Sequence, residues 1–79
     1  MKKKRPVNTD IRNRFGDRIR ELRTAKGFSQ EKLAEMATMH WTYLGGIERG
    51  ERNPTLINIE KLATALDVSL PELFVFTKT

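Results

Sequence analysis

Residues 29–48, SQEKLAEMATMHWTYLGGIE, decide the fold of this chain of 79 residues. Two segments within the stretch, residues 30–37 and 40–48, each place their apolar side chains on one face when drawn as a helix. Ser29 can cap the first segment, because its hydroxyl accepts a bond from an unpaired backbone N–H. Gly50 stands where a left-handed residue would end the second. The stretch therefore predicts two short helices joined by a tight turn. Their apolar side chains are Leu33, Ala34, Ala37, Leu44 and Ile47.

The outer side of the second of these helices carries no large aliphatic side chain. Its first turn contains Trp41, Thr42 and Tyr43, none of which is needed to fill a core that aliphatic neighbours already supply. Aromatic side chains exposed beside the start of a helix indicate a surface for a partner. A helix that supports a second helix with a free outer face is the helix-turn-helix arrangement, which enters the major groove of DNA. DNA binding is therefore the favoured function.

Apolar side chains also recur at helical spacing on both sides of the stretch. They predict a first helix over residues 10–26, which Thr9 or Asp10 opens, and a fourth over residues 56–66, which begins at the cap Thr55. The two apolar stripes consist of Ile11, Phe15, Ile19 and Leu22 in the first helix and of Leu56, Ile59, Leu62, Ala63 and Leu66 in the fourth.

Residues 69–72 match a capping box, in which the Ser69 hydroxyl bonds a backbone N–H near residue 72 and the Glu72 carboxylate reaches back. This pattern predicts a short fifth helix, and no strand pattern is found anywhere in the sequence. We therefore predict an all-α domain of five helices over residues 10–76, with the helix-turn-helix at helices 2 and 3. The apolar side chains of the fifth helix are Leu70, Leu73 and Phe74.

The net charge of +5 is concentrated at one end of the chain. Residues 1–28 carry ten Lys and Arg against three Asp and Glu, whereas residues 29–54 carry three against four and residues 55–79 two against three. A basic protein can bind nucleic acid, an anionic membrane or acidic proteins, and charge alone does not choose among them. Residues 1–9 contain four consecutive basic residues, so we predict a flexible basic arm there, either solvated or following the phosphates or a minor groove of DNA.

The candidate DNA contacts surround the second helix of the motif. Gln30 lies in the first turn of a helix, where free N–H groups and the helix dipole attract a phosphate. Thr42 can bond a base edge or touch a thymine methyl, Tyr43 can donate to a phosphate or a base, and Trp41 offers apolar contact and one N–H. Trp41 could instead pack sideways onto the arm or the first helix. The full set of candidates is Gln30, Trp41, Thr42, Tyr43, Gly46, Arg49, Arg52 and Asn53.

Gly45 and Gly46 are unusual in this set, since each costs a helix about 1 kcal/mol relative to alanine. Close approach of the backbone to DNA, a locally adaptable helix, or an imperfect helix held by tertiary packing would each account for them. Arg49, Arg52 and Asn53 lie just beyond the helix, from where they can reach phosphates beside a groove.

Several classes of protein are not expected. The chain has no cysteine, one histidine, no glycine-rich phosphate loop and no paired carboxylates in a plausible pocket, so we expect neither an enzyme nor a metal or cofactor site. His40 is expected to be a polar helix cap. The lack of a long apolar run and of a signal-peptide pattern predicts a cytoplasmic protein without membrane contact.

Four motifs together resemble the phage-repressor and Cro-like helix-turn-helix family, also called the xenobiotic-response-element family. The resemblance extends over about residues 15–74. It implies five helices, a homodimer on a near-palindromic operator and Gln30 as a phosphate contact. It also implies an ion pair between Arg23 and Glu48. Spacing alone does not decide between this ion pair and two separate surface charges. The motifs are Leu22-Arg23 before GFSQ at 27–30, Leu33-Ala34, TYLGGIERGERNPT at 42–55 and LATALDVSLPELF at 62–74.

The resemblance also bears on how bases are read. Positions equivalent to Trp41 and Thr42 read bases in relatives, where the first is often Gln or Arg, so Trp41 departs from the pattern. Gly46 matches relatives that have glycine there but departs from phage repressors that use glutamine, so that base-reading side chain is absent.

A small chain with these motifs is similar to restriction–modification controller proteins, in which the last helix and nearby residues form the dimer. That similarity makes an apolar set near the C-terminus the candidate dimer interface. The alternative is an antitoxin or coactivator-like module of the same fold, which grips a protein and binds DNA only secondarily. RNA polymerase and a toxin-like protein are the protein partners left open. The candidate interface residues are Ile57, Leu73, Phe74, Val75 and Phe76.

Overall fold

A computed structural model describes residues 10–76 of the chain, and this part is all-α, as predicted. The predicted basic arm, residues 1–9, lies outside the described residues. Between residues 10 and 76 there are four α-helices, one 3-10 helix and no strand. The elements are α1 (Ile11–Ala25), α2 (Gln30–Met36), α3 (Trp41–Glu48), α4 (Leu56–Leu66) and the 3-10 turn (Pro71–Phe74).

Each α-helix begins at a polar side chain that accepts a hydrogen bond from a backbone N–H of the first turn. The caps at Ser29, His40 and Thr55 are those that the sequence predicts, and Asp10 opens α1. The side chain and backbone N–H of Arg12 both donate to the Asp10 carboxylate and lower its pKa from 3.8 to about 2. The bond lengths are 2.8 Å at Asp10, 3.0 Å at Ser29, 3.2 Å at His40 and 3.1 Å at Thr55.

Left-handed residues follow each α-helix and turn the chain back towards the core. Gly50 has a φ of 79° after α3, as predicted, and Gly27 a φ of 78° after α1. Two residues with side chains adopt the same conformation: Thr38 after α2, at 56°, and Asp67 after α4, at 58°. A β-branched residue is strained in this region, so the turn between α2 and α3 is held by its surroundings.

The core lies where all five elements meet. The predicted apolar faces of α2 and α3 are buried. In the apolar stripes of α1 and α4, the first residue is exposed to solvent. Ile11 is 49% exposed and Leu56 is 84% exposed, because each is the first residue of its helix and projects past the packed layer. The buried apolar residues are Phe15, Ile19, Leu33, Ala34, Ala37, Leu44, Ile47, Leu62, Ala63, Leu66 and Leu73.

The predicted count of five helices is too high by one, because the segment of the predicted short fifth helix forms only the four-residue 3-10 turn. Glu72 N bonds Ser69 O, and Val75 leaves the turn in an extended conformation, so no second turn can form. The capping box is half present. Ser69 N donates to the Glu72 carboxylate at 3.0 Å, but the Ser69 hydroxyl points to the same carboxylate at 3.4 Å, where a backbone N–H was the predicted partner. Arg18 Nε fastens the turn to α1 by donating to Glu72 O at 2.9 Å.

Candidate nucleic-acid interface

A buried carboxylate, that of Glu48 at the end of α3, joins three helices. Its side chain is fully buried, and Arg23 of α1 approaches it with Nε at 2.6 Å from Oε2 and Nη2 at 3.0 Å from Oε1. Gln30 of α2 donates to Oε1 at 2.9 Å. Arg23 also donates to the Phe28 carbonyl at 2.9 Å. The structure thus places Arg23 against Glu48, and the pair fixes α3 relative to α1 and α2.

The Gln30 amide is directed inward to this carboxylate. Because an amide nitrogen carries two hydrogens, one remains available for a phosphate. A phosphate contact by Gln30 therefore stays a prediction, and the same side chain also orients the motif.

The start of α3 is built around His40. Its Nδ1 accepts from Thr42 N at 3.2 Å, so this nitrogen carries no proton, and the Thr42 hydroxyl at 2.7 Å from it is the donor. The Thr42 hydroxyl oxygen keeps its lone pairs, which suit a base amino group as donor. Trp41 stacks on the His40 ring, with ring centroids 6.1 Å apart and an angle of 22° between the planes. The Trp41 side chain remains 51% exposed.

Tyr43 differs from its two neighbours because it is half-buried against the core. The prediction that Tyr43 is not needed to fill the core is therefore wrong. Its hydroxyl accepts from Asn58 Nδ2 at 3.2 Å, which leaves the hydroxyl hydrogen free to donate. The guanidinium of Arg52 lies 5.8 Å from the centre of its ring. Asn58 of α4 was missed in the sequence, where nothing local marks a residue that contacts α3.

The two glycines of α3 lie beneath arginine side chains. A Cβ at Gly45 would lie 3.1 Å from Arg49 Nη1, and one at Gly46 would lie 2.8 Å from Arg52 Cγ. Both glycines are buried. The space that they leave is therefore occupied by the protein itself, and a direct approach of the Gly46 backbone to DNA would require Arg52 to move aside.

The residues that follow α3 form an exposed polar rim. Arg49, Arg52 and Asn53 are all exposed. Arg49 Nε lies 3.1 Å from Glu51 Oε2, so part of its charge is compensated, whereas Arg52 packs its stem across Gly46. Arg52 also lies against the Tyr43 ring, and Arg49 lies over Gly45 of α3.

Two residues of α1 that support this surface were not identified in the sequence. A Cβ at Gly16 would lie 2.8 Å from the Glu48 carbonyl oxygen, so only glycine lets α1 approach α3 this closely. Asn13 Nδ2 donates to the Arg49 carbonyl at 3.5 Å. A glycine inside an otherwise good helix is the one signal that could have revealed the close approach.

The candidate dimer residues do not share one environment. Ile57, Phe74 and Val75 are 67%, 43% and 48% exposed, as an interface requires. Leu73 is fully buried in its own chain, so it supports the others from beneath and offers no surface. Phe76 is half-buried, with the Arg14 guanidinium 5.4 Å from its ring centre.

Other kinds of site find no support in the part of the chain that is described. Residues 10–76 hold no group of three His, Cys, Asp or Glu side chains that could bind a metal ion. Within the same residues, every helix is too short or too polar to cross a membrane.

Comparison with known proteins identifies the family of the chain. The family model described as Helix-turn-helix matches residues 19–73. The chain is 46% identical over 72 residues to control protein C.BamHI of Bacillus amyloliquefaciens, a match that covers 90% of this chain and 89% of that protein. The crystal structure of the restriction-modification controller protein C.AhdI from Aeromonas hydrophila has a TM-score of 0.80 and 58% identity, and the match covers 81% of this chain and 97% of that one.

A structure determined with DNA is also similar. SinR, the master regulator for biofilm formation, in complex with DNA has a TM-score of 0.72 and 42% identity, over 75% of this chain and 95% of that one. The chain therefore belongs to the helix-turn-helix family of sequence-specific DNA-binding transcription regulators.

Proposed function

We propose that this regulator is a controller-type protein that binds a near-palindromic operator as a homodimer. The observation that carries the proposal is the first turn of α3. Trp41 and Thr42 are exposed there and Tyr43 is partly exposed, on a helix that the buried Glu48 carboxylate holds in place. A helix with side chains and orientation fixed in this way pays little entropy on binding.

The contacts divide into two kinds. Gln30, Arg49, Arg52 and Asn53 bind phosphates and set the register of the protein on the duplex. Trp41, Thr42 and Tyr43 discriminate bases, because base edges and not phosphates carry sequence information.

The dimer places two copies of α3 in successive major grooves. Its interface is formed by exposed apolar side chains at the start of α4 and at the C-terminal end of the described residues. At the start of α4, Leu56 is 84% exposed and lies next to Ile57 in the sequence. Two-fold symmetry of the protein then matches the two half-sites, with α3 and its partner about 34–36 Å apart.

The division of contacts is tested by fluorescence anisotropy on a duplex selected from a random library and on unrelated duplexes, at several salt concentrations. Thr42→Ala should relax sequence preference by about 1–3 kcal/mol per affected base pair. Arg52→Ala should weaken binding to every sequence and reduce the salt slope by about one. Equal losses from both variants on every duplex would contradict the division. Weak binding that ignores sequence would instead favour the protein-interaction module, for which the exposed Trp41 is the supporting feature.

A further inference from the structure

The first residue of α3 has the largest side chain among the residues that we propose contact DNA. Trp41 is 51% exposed although it is apolar over most of its area. The N-terminal residues of a recognition helix are those that contact base edges. The indole is therefore placed where a base edge is expected.

The orientation of Trp41 is set before any DNA arrives. The His40 ring is held by the backbone N–H and hydroxyl of Thr42, at 3.2 and 2.7 Å. The Trp41 ring lies beside it, with centroids 6.1 Å apart and 22° between the planes, and 51% of Trp41 is left exposed to a partner.

The next turn of the helix has no side chain that could share this task. Gly45 and Gly46 follow Trp41 and Thr42 by four residues, which is one helical turn. Both are buried under arginine side chains. Apolar base contact from α3 is thus limited to its first turn, where Trp41 offers a far larger apolar surface than the Thr42 methyl group.

The chemistry of the indole limits what it can recognise. It has one N–H donor and no acceptor, so it cannot read the amino groups of adenine or cytosine. Its free face is apolar, and the apolar feature of the major groove is the C5-methyl group of thymine, which 5-methylcytosine also carries and which cytosine and uracil lack. We propose that Trp41 recognises the C5-methyl group of one pyrimidine in each half-site, a specificity that rests on the proposed function.

The test uses the full chain and a duplex selected from a random library, with fluorescence anisotropy as the readout. Each thymine is replaced in turn by deoxyuridine, which removes only the methyl group. Deoxyuridine at one position should weaken binding about fourfold for each half-site, the value of one buried methyl group. In Trp41→Ala the same replacement should change affinity less than about 1.5-fold, because the methyl group then has no apolar partner.

Thr42→Ser is the matched control, since Thr42 also carries a methyl group in the same turn. The deoxyuridine penalty should persist in Thr42→Ser. If the deoxyuridine penalty disappeared in Thr42→Ser and persisted in Trp41→Ala, the methyl contact would belong to Thr42 and the inference would be overturned. Circular dichroism checks that all variants fold, as expected for changes at exposed positions.

Cytosine and 5-methylcytosine at the sensitive position separate the two sources of the methyl group. Higher affinity for 5-methylcytosine than for cytosine supports recognition of the methyl group itself, and equal affinity for the two would contradict it. Tight, sequence-selective binding that ignores every deoxyuridine would overturn this inference and leave the proposed function standing. Absence of any preferred sequence would overturn both.

Discussion

At the scale of single residues, the missing side chain of Gly46 determines where Arg52 lies. A Cβ there would lie 2.8 Å from Arg52 Cγ, so the exposed Arg52 side chain must rotate near its base to make room. Gly46→Ala should therefore keep the fold and raise the free energy of unfolding by up to about 1 kcal/mol through helix propensity. The displaced Arg52 should weaken binding to all DNA sequences about threefold to tenfold, the cost of misplacing one charge-assisted contact. Thermal unfolding and anisotropy measure the two effects.

A double-mutant cycle isolates this mechanism. In an Arg52→Ala background, Gly46→Ala should leave DNA affinity unchanged, because no Arg52 stem remains to be displaced. A further loss in that background would mean that the glycine matters to DNA directly.

Arg23 and Glu48 form the second residue-scale test. Glu48 is fully buried, and Arg23 is its bidentate partner. Arg23→Met should lower the free energy of unfolding by about 3–5 kcal/mol, since it leaves a buried carboxylate without its ion pair. Most of that loss should return in Arg23→Met with Glu48→Leu, where both charges are gone. Urea unfolding followed by circular dichroism gives both values.

Arg20 supplies the control for that pair. Its Nε also approaches Glu48, at 3.7 Å, but its side chain is 50% exposed. Arg20→Met should cost less than about 1 kcal/mol, as solvent-exposed pairs do. If Arg20→Met cost as much as Arg23→Met, burial would not be the reason for the effect.

At the scale of elements, the turn between α2 and α3 stores strain at Thr38. Its φ of 56° is unfavourable for a β-branched residue. Thr38→Gly should raise the free energy of unfolding by about 1 kcal/mol, because glycine adopts this conformation freely. Thr64→Gly is the matched control in the exposed surface of α4, where it should lower stability by a few tenths of a kcal/mol. Urea unfolding of both variants checks the opposite signs, and a loss in both would refute strain at Thr38.

The elements also show which parts of the structure can be predicted from sequence. The helix starts at Ser29, His40 and Thr55 were predictable because capping is local chemistry between residues two or three apart. The 3-10 turn was not, because a single turn and a short α-helix share the same apolar spacing. The positions of the arginine side chains over Gly45 and Gly46 could not be predicted from sequence either. Both placements depend on contacts made after the helices pack.

At the scale of the whole molecule, the proposed dimer would bring two copies of α3 to DNA through an interface that α3 itself does not form. Ile57 is 67% exposed and Leu56 beside it 84% exposed, an apolar pair at the start of α4 that the chain itself does not cover. In a two-fold interface the same patch meets its own copy. One substitution therefore changes the interface twice.

Ile57→Lys should convert the proposed dimer to a monomer without unfolding it, because Ile57 is 67% exposed in its own chain and two introduced lysines would face one interface. Dimer dissociation should become at least roughly tenfold easier, equivalent to about 1.4 kcal/mol. Sedimentation equilibrium measures it, and binding to a two-half-site duplex should fall towards the affinity for a single half-site. Met36→Lys is the control, since Met36 is 40% exposed on α2, outside the proposed interface, and should remain dimeric. A dimeric Ile57→Lys would move the interface away from the start of α4.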